Sequence, residues 1–429
     1  MSQTSTSLAR VVGLWGAVWL GLGSILGTGV FVSLGIAAGV VGSGVVLATA
    51  LAALLAAAHG LSSAQLAAAH PVSGGTYEYG HRLLRPAAGF AAGWMFLAAK
   101  SASAATAALG CAGYLLHALG IASGRGTHIA LALAIVLVLT SLVAGGVRRS
   151  NRTNIAIVTL TLVTLGAFVV FGWLSVEASS LGTAIWRDAF HSPESLLHAT
   201  ALIFVAYTGY GRIATLGEEV REPGRTIPRA IIATLAISLL FYVAVAATTV
   251  AVVGPAAFAA STHGTAAPLE VVAKSFRHSQ VAWLVAVGAV TALAGVLLNL
   301  LLGLSRMLLA MARRREMPAG LDYVSDANQS PTRAVWAVGI AIAALVLLGD
   351  IRATWSFSAF TVLVYYGLTN LAALRLPKEA RRFPRWIAWA GLLSCFGLAF
   401  FVDWKVWLAG LALLGLGFAL RAWMLSRAR

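Results

Sequence analysis

Two stretches of this sequence put glycines where an apolar helix would otherwise run unbroken. Residues 23–31 read Gly-Ser-Ile-Leu-Gly-Thr-Gly-Val-Phe, and residues 204–211 read Phe-Val-Ala-Tyr-Thr-Gly-Tyr-Gly. Breaking a helix frees carbonyl groups at the end of its first half and N–H groups at the start of its second. The N–H end carries the positive end of the helix dipole and suits an anion, whereas the freed carbonyls suit a cation. Such a segment binds with its backbone and needs no charged side chain. Its chemistry is recognition rather than bond-making.

Residues that make or break bonds are harder to find. Residues 23–29 are not a phosphate loop, because no Lys-Ser/Thr follows and no strand precedes them. Glu218 and Glu219 are adjacent, but a hydrolase built on paired carboxylates needs a pocket fed by other polar groups, and none is visible. They read instead as partners for arginines of a gate. Cys111 and Cys395 both lie inside apolar runs, far apart in the chain, so neither a disulfide framework nor a zinc site is expected. No catalytic residue, metal or cofactor is expected, and the chain does not read as an enzyme.

The elements that carry the two breaks follow from composition. The chain has 429 residues, 59% hydrophobic and only 10% charged, with a mean hydropathy of +0.87. A soluble domain has about 25% charged residues, so too little polar surface exists here to cover the apolar side chains. Length is better counted in membrane spans of about 20 residues each. Twelve apolar segments emerge, near 11–40, 44–67, 87–119, 128–147, 154–173, 196–217, 228–253, 281–311, 334–349, 354–374, 386–402 and 404–423. Residues 1–10 are polar and short, without the pattern of a cleaved signal peptide, and read as a cytoplasmic N-terminus.

The net charge of +16 would suit nucleic acid only if it formed one surface, and the arginines instead come in small groups between the apolar runs. Of 30 lysines and arginines, 21 fall in the termini and the loops on the N-terminal side of the membrane, and 6 in the opposite loops. That asymmetry orients an even number of spans with both termini in the cytoplasm of a cell's inner membrane. The glycine breaks fall in the first and sixth spans, at matching places in two halves of five spans. Paired breaks of this kind are the sequence pointer to a transporter's binding site.

Polar residues inside the spans are few. Lys100, in Trp-Met-Phe-Leu-Ala-Ala-Lys-Ser-Ala-Ser at 94–103, lies deep in the third span. An ammonium there costs several kcal/mol unless it faces protein or water, so Lys100 is read as functional, a titrating group or a tether bonded to the carbonyls of 23–27. His59 reads as a packed, hydrogen-bonded core histidine. Asn299 reads as a bond to a neighbouring helix. Tyr207 reads as either a gate or aromatic packing.

With these residues in hand, the chain resembles the amino acid–polyamine–organocation superfamily, in particular bacterial amino acid permeases. The resemblance rests on 23–31, on Pro-Val-Ser-Gly-Gly-Thr-Tyr at 71–77 and on 204–231 with its Glu-Glu-Val-Arg-Glu-Pro-Gly-Arg-Thr-Ile-Pro-Arg-Ala-Ile. Ser-Arg-Met-Leu-Leu-Ala-Met at 305–311 and Met317-Pro318 complete it. It implies an all-α integral membrane protein of 12 transmembrane helices. These form a LeuT-like 5+5 inverted repeat, residues 11–176 and 177–376, followed by two C-terminal helices and a cytoplasmic tail in 377–429.

It also implies a secondary active transporter of α-amino acids working by alternating access, with the amino acid and the bilayer as partners. A coupling proton is the further partner considered. By the backbone argument, Gly27, Thr28 and Gly29 take a carboxylate, while Ile25, Val205, Ala206 and Thr208 offer carbonyls to an ammonium; the resemblance points to the same positions. Several proton-coupled relatives have a lysine in the fifth span, but the aligned residue here is Thr161 and that span has no lysine, so proton symport is not inherited from it. The cation-transporting branch often has an acidic residue at the position of Ala99. Its absence beside Lys100 favours neutral over cationic substrates. The alternative is an exchanger or proton-coupled transporter of cationic amino acids or polyamines.

Overall fold

The computed structural model describes residues 12–71, 74–121, 124–146, 151–176, 181–214, 219–262, 266–326 and 329–427. Residues 1–10 and Glu218 therefore lie outside the described residues. The chain runs through α1 (Leu14–Ile25), α2 (Leu34–Val41), α3 (Val45–Ala69), α4 (Thr76–Tyr79), α5 (Pro86–Ala118) and α6 (Arg125–Ala144). It continues through α7 (Asn151–Trp173), α8 (Leu181–His191), α9 (Pro193–Tyr207), α10 (Gly211–Ala214), α11 (Pro223–Ala260) and α12 (Pro268–Lys274). It closes with α13 (Val281–Arg313), α14 (Thr332–Leu347), α15 (Ile351–Leu374), α16 (Arg385–Phe401) and α17 (Trp404–Arg427). Among the described residues there is no strand, only an isolated bridge between Val12 and Val220.

Among the described residues, eight helical segments are long and apolar enough to cross a membrane, and α14 and α16 are shorter apolar helices. The protein is an all-helical, multi-pass membrane protein. Helices are the expected solution, because in hydrocarbon each backbone polar group must be satisfied within its own segment. Apolar side chains such as Trp15, Leu240, Ile340, Phe400 and Leu416 are exposed on the outside of the helices.

The interior is built around α5, the most buried of the eight long segments, whereas α17 is the least. Small residues let α5 lie close to its neighbours: Ser101, Ala104, Ala105, Ala108 and Gly110 are all buried. It packs most extensively against α15 and α13, while α3 packs against α11 and α9. Hydroxyl pairs stitch α5 to α15, Ser103 to Ser358 at 2.7 Å and Thr106 to Thr354 at 2.8 Å. Each such bond is worth about 0.6 kcal/mol inside a membrane bundle.

The turn between α2 and α3 needs Gly42, whose φ of 61° is in the left-handed region. Helix α8 seats on that turn through Asp188, whose carboxylate accepts the Ser43 N–H at 3.0 Å. Burial works against ionisation of Asp188, but the bonds from Ser43 and Arg187 outweigh it and hold the carboxyl below its usual range.

Candidate functional site

The first break is where the glycines put it. Helix α1 stops at Leu26, whose backbone is extended (φ −74°, ψ 97°), and the chain restarts as a π-turn over Gly29–Ser33 before α2. The Ile25 carbonyl accepts the Tyr242 hydroxyl of α11 at 2.7 Å. One turn earlier, Gly23 O accepts Asn299 Nδ2 of α13 at 3.3 Å and Trp19 O accepts Asn154 Nδ2 of α7 at 2.7 Å. The Gly23 and Ile25 carbonyls at the end of α1 are thus bonded by side chains from two other helices, and a third helix bonds the middle of α1. Thr28 is buried, and its hydroxyl has no hydrogen-bond partner among the described residues.

The second break follows α9. The helix tightens into a 3-10 turn over Thr208–Tyr210 and resumes as α10. Here Thr208 O accepts the Tyr366 hydroxyl of α15 at 3.0 Å, and Tyr242 lies 3.4 Å from Ala206 O. The Tyr242 hydroxyl, with one proton, reaches a carbonyl of each break. The breaks touch directly: a Cβ on Gly209 would collide with the Ser24 carbonyl. Only glycine permits this approach of backbone to backbone.

Lys100 reaches this crossing from α5. Its ammonium donates to Thr208 Oγ1 at 2.7 Å, and that hydroxyl donates onward to Val205 O at 2.7 Å. The expected bond to the carbonyls of 23–27 is not made, so the tether runs to the sixth span instead of the first. The donors that do reach those carbonyls are Asn299, on Gly23 O, and Tyr242, on Ile25 O.

A cavity of about 280 Å³ begins at the crossing. Ser24, Lys100, Thr208, Gly209, Val296 and Asn299 line its inner end, at the crossing; Gly74, Arg212, Glu219, Arg306 and Ala310 are among the residues that line the rest of its wall. Gly27, Thr28 and Gly29 are not in its wall. Val296, which is, would meet a Cβ on Gly27, and Ala206 and Tyr242 cover Gly29. Val296 is thus the side chain that both packs against the first break and lines the cavity.

Glu219 faces the cavity, and Arg212 feels both its charge and that of Arg306. Its backbone accepts the Val12 N–H at 3.0 Å, joining the segment before α1 to the loop after the sixth span. Tyr207 donates to Thr49 O at 3.3 Å, with its ring 5.0 Å from that of Tyr242. Thr161 donates to Ile157 O of its own helix at 2.8 Å. His59 is packed and bonded as its sequence context suggests, against Asn370 at 2.5 Å and Ser394 at 3.3 Å.

A second polar node closes the arginine-rich face beside the cavity. Glu316 accepts Tyr77 Oη at 2.8 Å and Arg421 Nε at 2.9 Å, with His81 at 3.3 Å. Burial alone would raise its pKa; the bonds from His81, Tyr77 and Arg421 reverse this and hold the carboxyl below the usual glutamate range. Sequence reasoning missed this node, as it missed Tyr242 and Tyr366. The available signal was a tyrosine inside an apolar run, since a buried phenol nearly always finds a partner.

Comparison with known proteins adds an independent line. A family model described as amino acid permease matches residues 16–423. The chain is 43% identical over 415 residues to an uncharacterized transporter of Mycobacterium tuberculosis, covering 96% of this chain and 90% of that relative. It is 28% identical over 413 residues to a branched-chain amino acid permease of Bacillus subtilis, covering 92% of this chain and 86% of that one. It is 26% identical over 400 residues to human cationic amino acid transporter 4, covering 88% of this chain and 62% of the relative.

Proposed function

The chain belongs to the amino acid permease family, and from that premise we propose that it is a secondary active transporter of α-amino acids that works by alternating access in a cell's inner membrane. One observation carries the reading: two broken helices cross at Ser24 and Gly209, and both residues of that crossing line a cavity. The amino acid carboxylate is assigned to the N–H groups of Gly27, Thr28 and Gly29, and its ammonium to the carbonyls of Ile25, Val205, Ala206 and Thr208. The crossing of the breaks supports this, as does the buried, unbonded Thr28 hydroxyl.

Twelve crossings fit the helices. Leu14–Ala69 folds back at Gly42 and counts twice, seven long helices count once, α14 and α16 add two, and α9 with α10 makes the last. That count supports the proposed 5+5 repeat with two appended helices, and the asymmetry of the loop arginines supports cytoplasmic termini. Val296 packs against Gly27 and lines the cavity, while Gly27, Thr28 and Gly29 do not, so rocking of the broken helices against α5 and α13 is needed to admit substrate. Tyr207 and Glu219 are assigned to the gates, and coupling to Lys100 rather than Thr161, whose hydroxyl is satisfied by its own helix.

Neutral substrates are favoured over cationic ones, because Lys100, Arg212 and Arg306 face the cavity against the single carboxylate of Glu219 among its described lining residues. Counterflow of labelled L-alanine in proteoliposomes tests this. Saturable counterflow, competed by neutral amino acids and weakly by arginine or lysine, is expected. Linear, unsaturable flux would indicate a channel, and inhibition by arginine as strong as by neutral amino acids would overturn the assigned pocket.

A further inference from the structure

We infer that the side-chain end of the substrate site is built for a carboxylate, so that acidic amino acids bind more tightly than their uncharged amides; this rests on the transport reading above. The inference starts from Lys100. Only 9% of its surface is exposed, and what is exposed lines the cavity at the crossing of the two breaks. Among the described residues its ammonium donates to the Thr208 hydroxyl, a neutral acceptor. An ammonium has three donors, so two remain to be used at the inner end of the cavity.

No carboxylate of the described residues comes within ion-pair distance of Lys100. A buried ion without a counter-charge is costly, and inside a membrane such a group is kept for a partner or a substrate. The backbone carbonyls of the breaks suit the ammonium of an amino acid, and the break amides suit its α-carboxylate. Neither needs Lys100. What Lys100 complements is a second anionic group on the same molecule.

The rest of the wall agrees. Arg212 and Arg306 line the same cavity, and Glu219 is the sole carboxylate among the described lining residues. A cavity with this excess of positive charge raises the local concentration of anions and repels cations. Phe96, Val296 and Tyr366 supply the apolar wall for the methylenes that join the two ends of such a substrate. Neutral amino acids still bind through the breaks, without the contact to Lys100.

The test uses the purified full-length protein and pairs of ligands that differ in charge and hardly at all in shape. Binding of L-glutamate is compared with L-glutamine, and of L-aspartate with L-asparagine, by isothermal titration at constant ionic strength. Each acid is expected to bind at least about tenfold tighter than its amide, the scale of a lost charge-assisted contact in a buried site. In Lys100→Gln the ratio falls towards one, and in Lys100→Arg the preference for the acid returns. Glutarate, which has the carboxylates and lacks the ammonium, is expected not to bind measurably.

Equal or tighter binding of the amides by the wild-type protein overturns the inference, whatever the variants do. So does a folded Lys100→Gln protein that keeps the preference, or glutarate binding as tightly as glutamate. If neutral amino acids bind and the acids gain nothing, the inference alone fails. If no amino acid binds, the transport reading fails and takes this inference with it.

Discussion

Replacing Gly29 by alanine adds one methyl group at the place where the two broken helices meet. An ideal Cβ there lies 2.5 Å from Ala206 Cβ, 2.7 Å from Tyr242 Oη and 3.0 Å from Ala206 Cα. Carbon atoms pack at about 3.5–4.0 Å, so the first and sixth spans must part by about 1 Å at this point. Forcing a methylene-sized group into a packed interior costs about 1–3 kcal/mol. If the substrate bridges the two breaks, that separation is felt in binding, and 1–3 kcal/mol corresponds to about 5- to 150-fold in affinity. Titration of the purified variant with the amino acid that stabilises the wild type most measures this directly. Gly166→Ala is the control, since nothing lies within 4 Å of its added Cβ, and its affinity is expected to match wild type. Wild-type affinity in Gly29→Ala would refute the idea that this contact sets the geometry of the site.

Three other perturbations reach separate parts of the account. Tyr242→Phe removes the hydroxyl donor from Ile25 O and is expected to lower thermal stability of the unliganded protein by about 1–3 kcal/mol, the cost of an orphaned buried acceptor; an unchanged melting curve would show that the bond does not pin the break. Gly303→Leu fills open space in the cavity wall, where an added Cβ meets nothing within 4 Å. Counterflow should slow sharply at unchanged thermal stability, and an unaltered rate would mean that substrate takes another path. Glu316, with a depressed folded-state pKa, stabilises the fold above its unfolded value of about 4.3 and loses that contribution as pH falls towards the folded value. Melting temperature against pH in Glu316→Gln should therefore lack part of the acid-side decline, and a profile parallel to wild type would remove Glu316 from the node.

The spans and the breaks were legible because their signals are local. A run of apolar residues is read without knowing its neighbours, and Gly23, Gly27, Gly29, Gly209 and Gly211 interrupt such runs at residues that can be named. Asn299 was legible for the same reason, a lone amide that had to find a partner and found Gly23 O. What covers the breaks was not. Tyr242 and Tyr366 come from helices far along the chain, and nothing in their own surroundings says which carbonyl they meet. That Lys100 needs a partner is legible from its depth in an apolar run, but not that the partner is the Thr208 hydroxyl of the sixth span and not a carbonyl of 23–27, since only tertiary packing brings the two side chains together. The separation of Gly27 from the cavity by Val296 is likewise a matter of packing.

Backbone groups of the two broken helices are proposed to hold the carboxylate and the ammonium common to α-amino acids. Counterflow in proteoliposomes with blocked derivatives tests it most directly, using the amino acid that gives the largest thermal stabilisation. The free amino acid should drive saturable counterflow, while its methyl ester and its N-acetyl form, each lacking one of the two charges, should drive none. Counterflow of either derivative at the rate of the parent amino acid would contradict the claim.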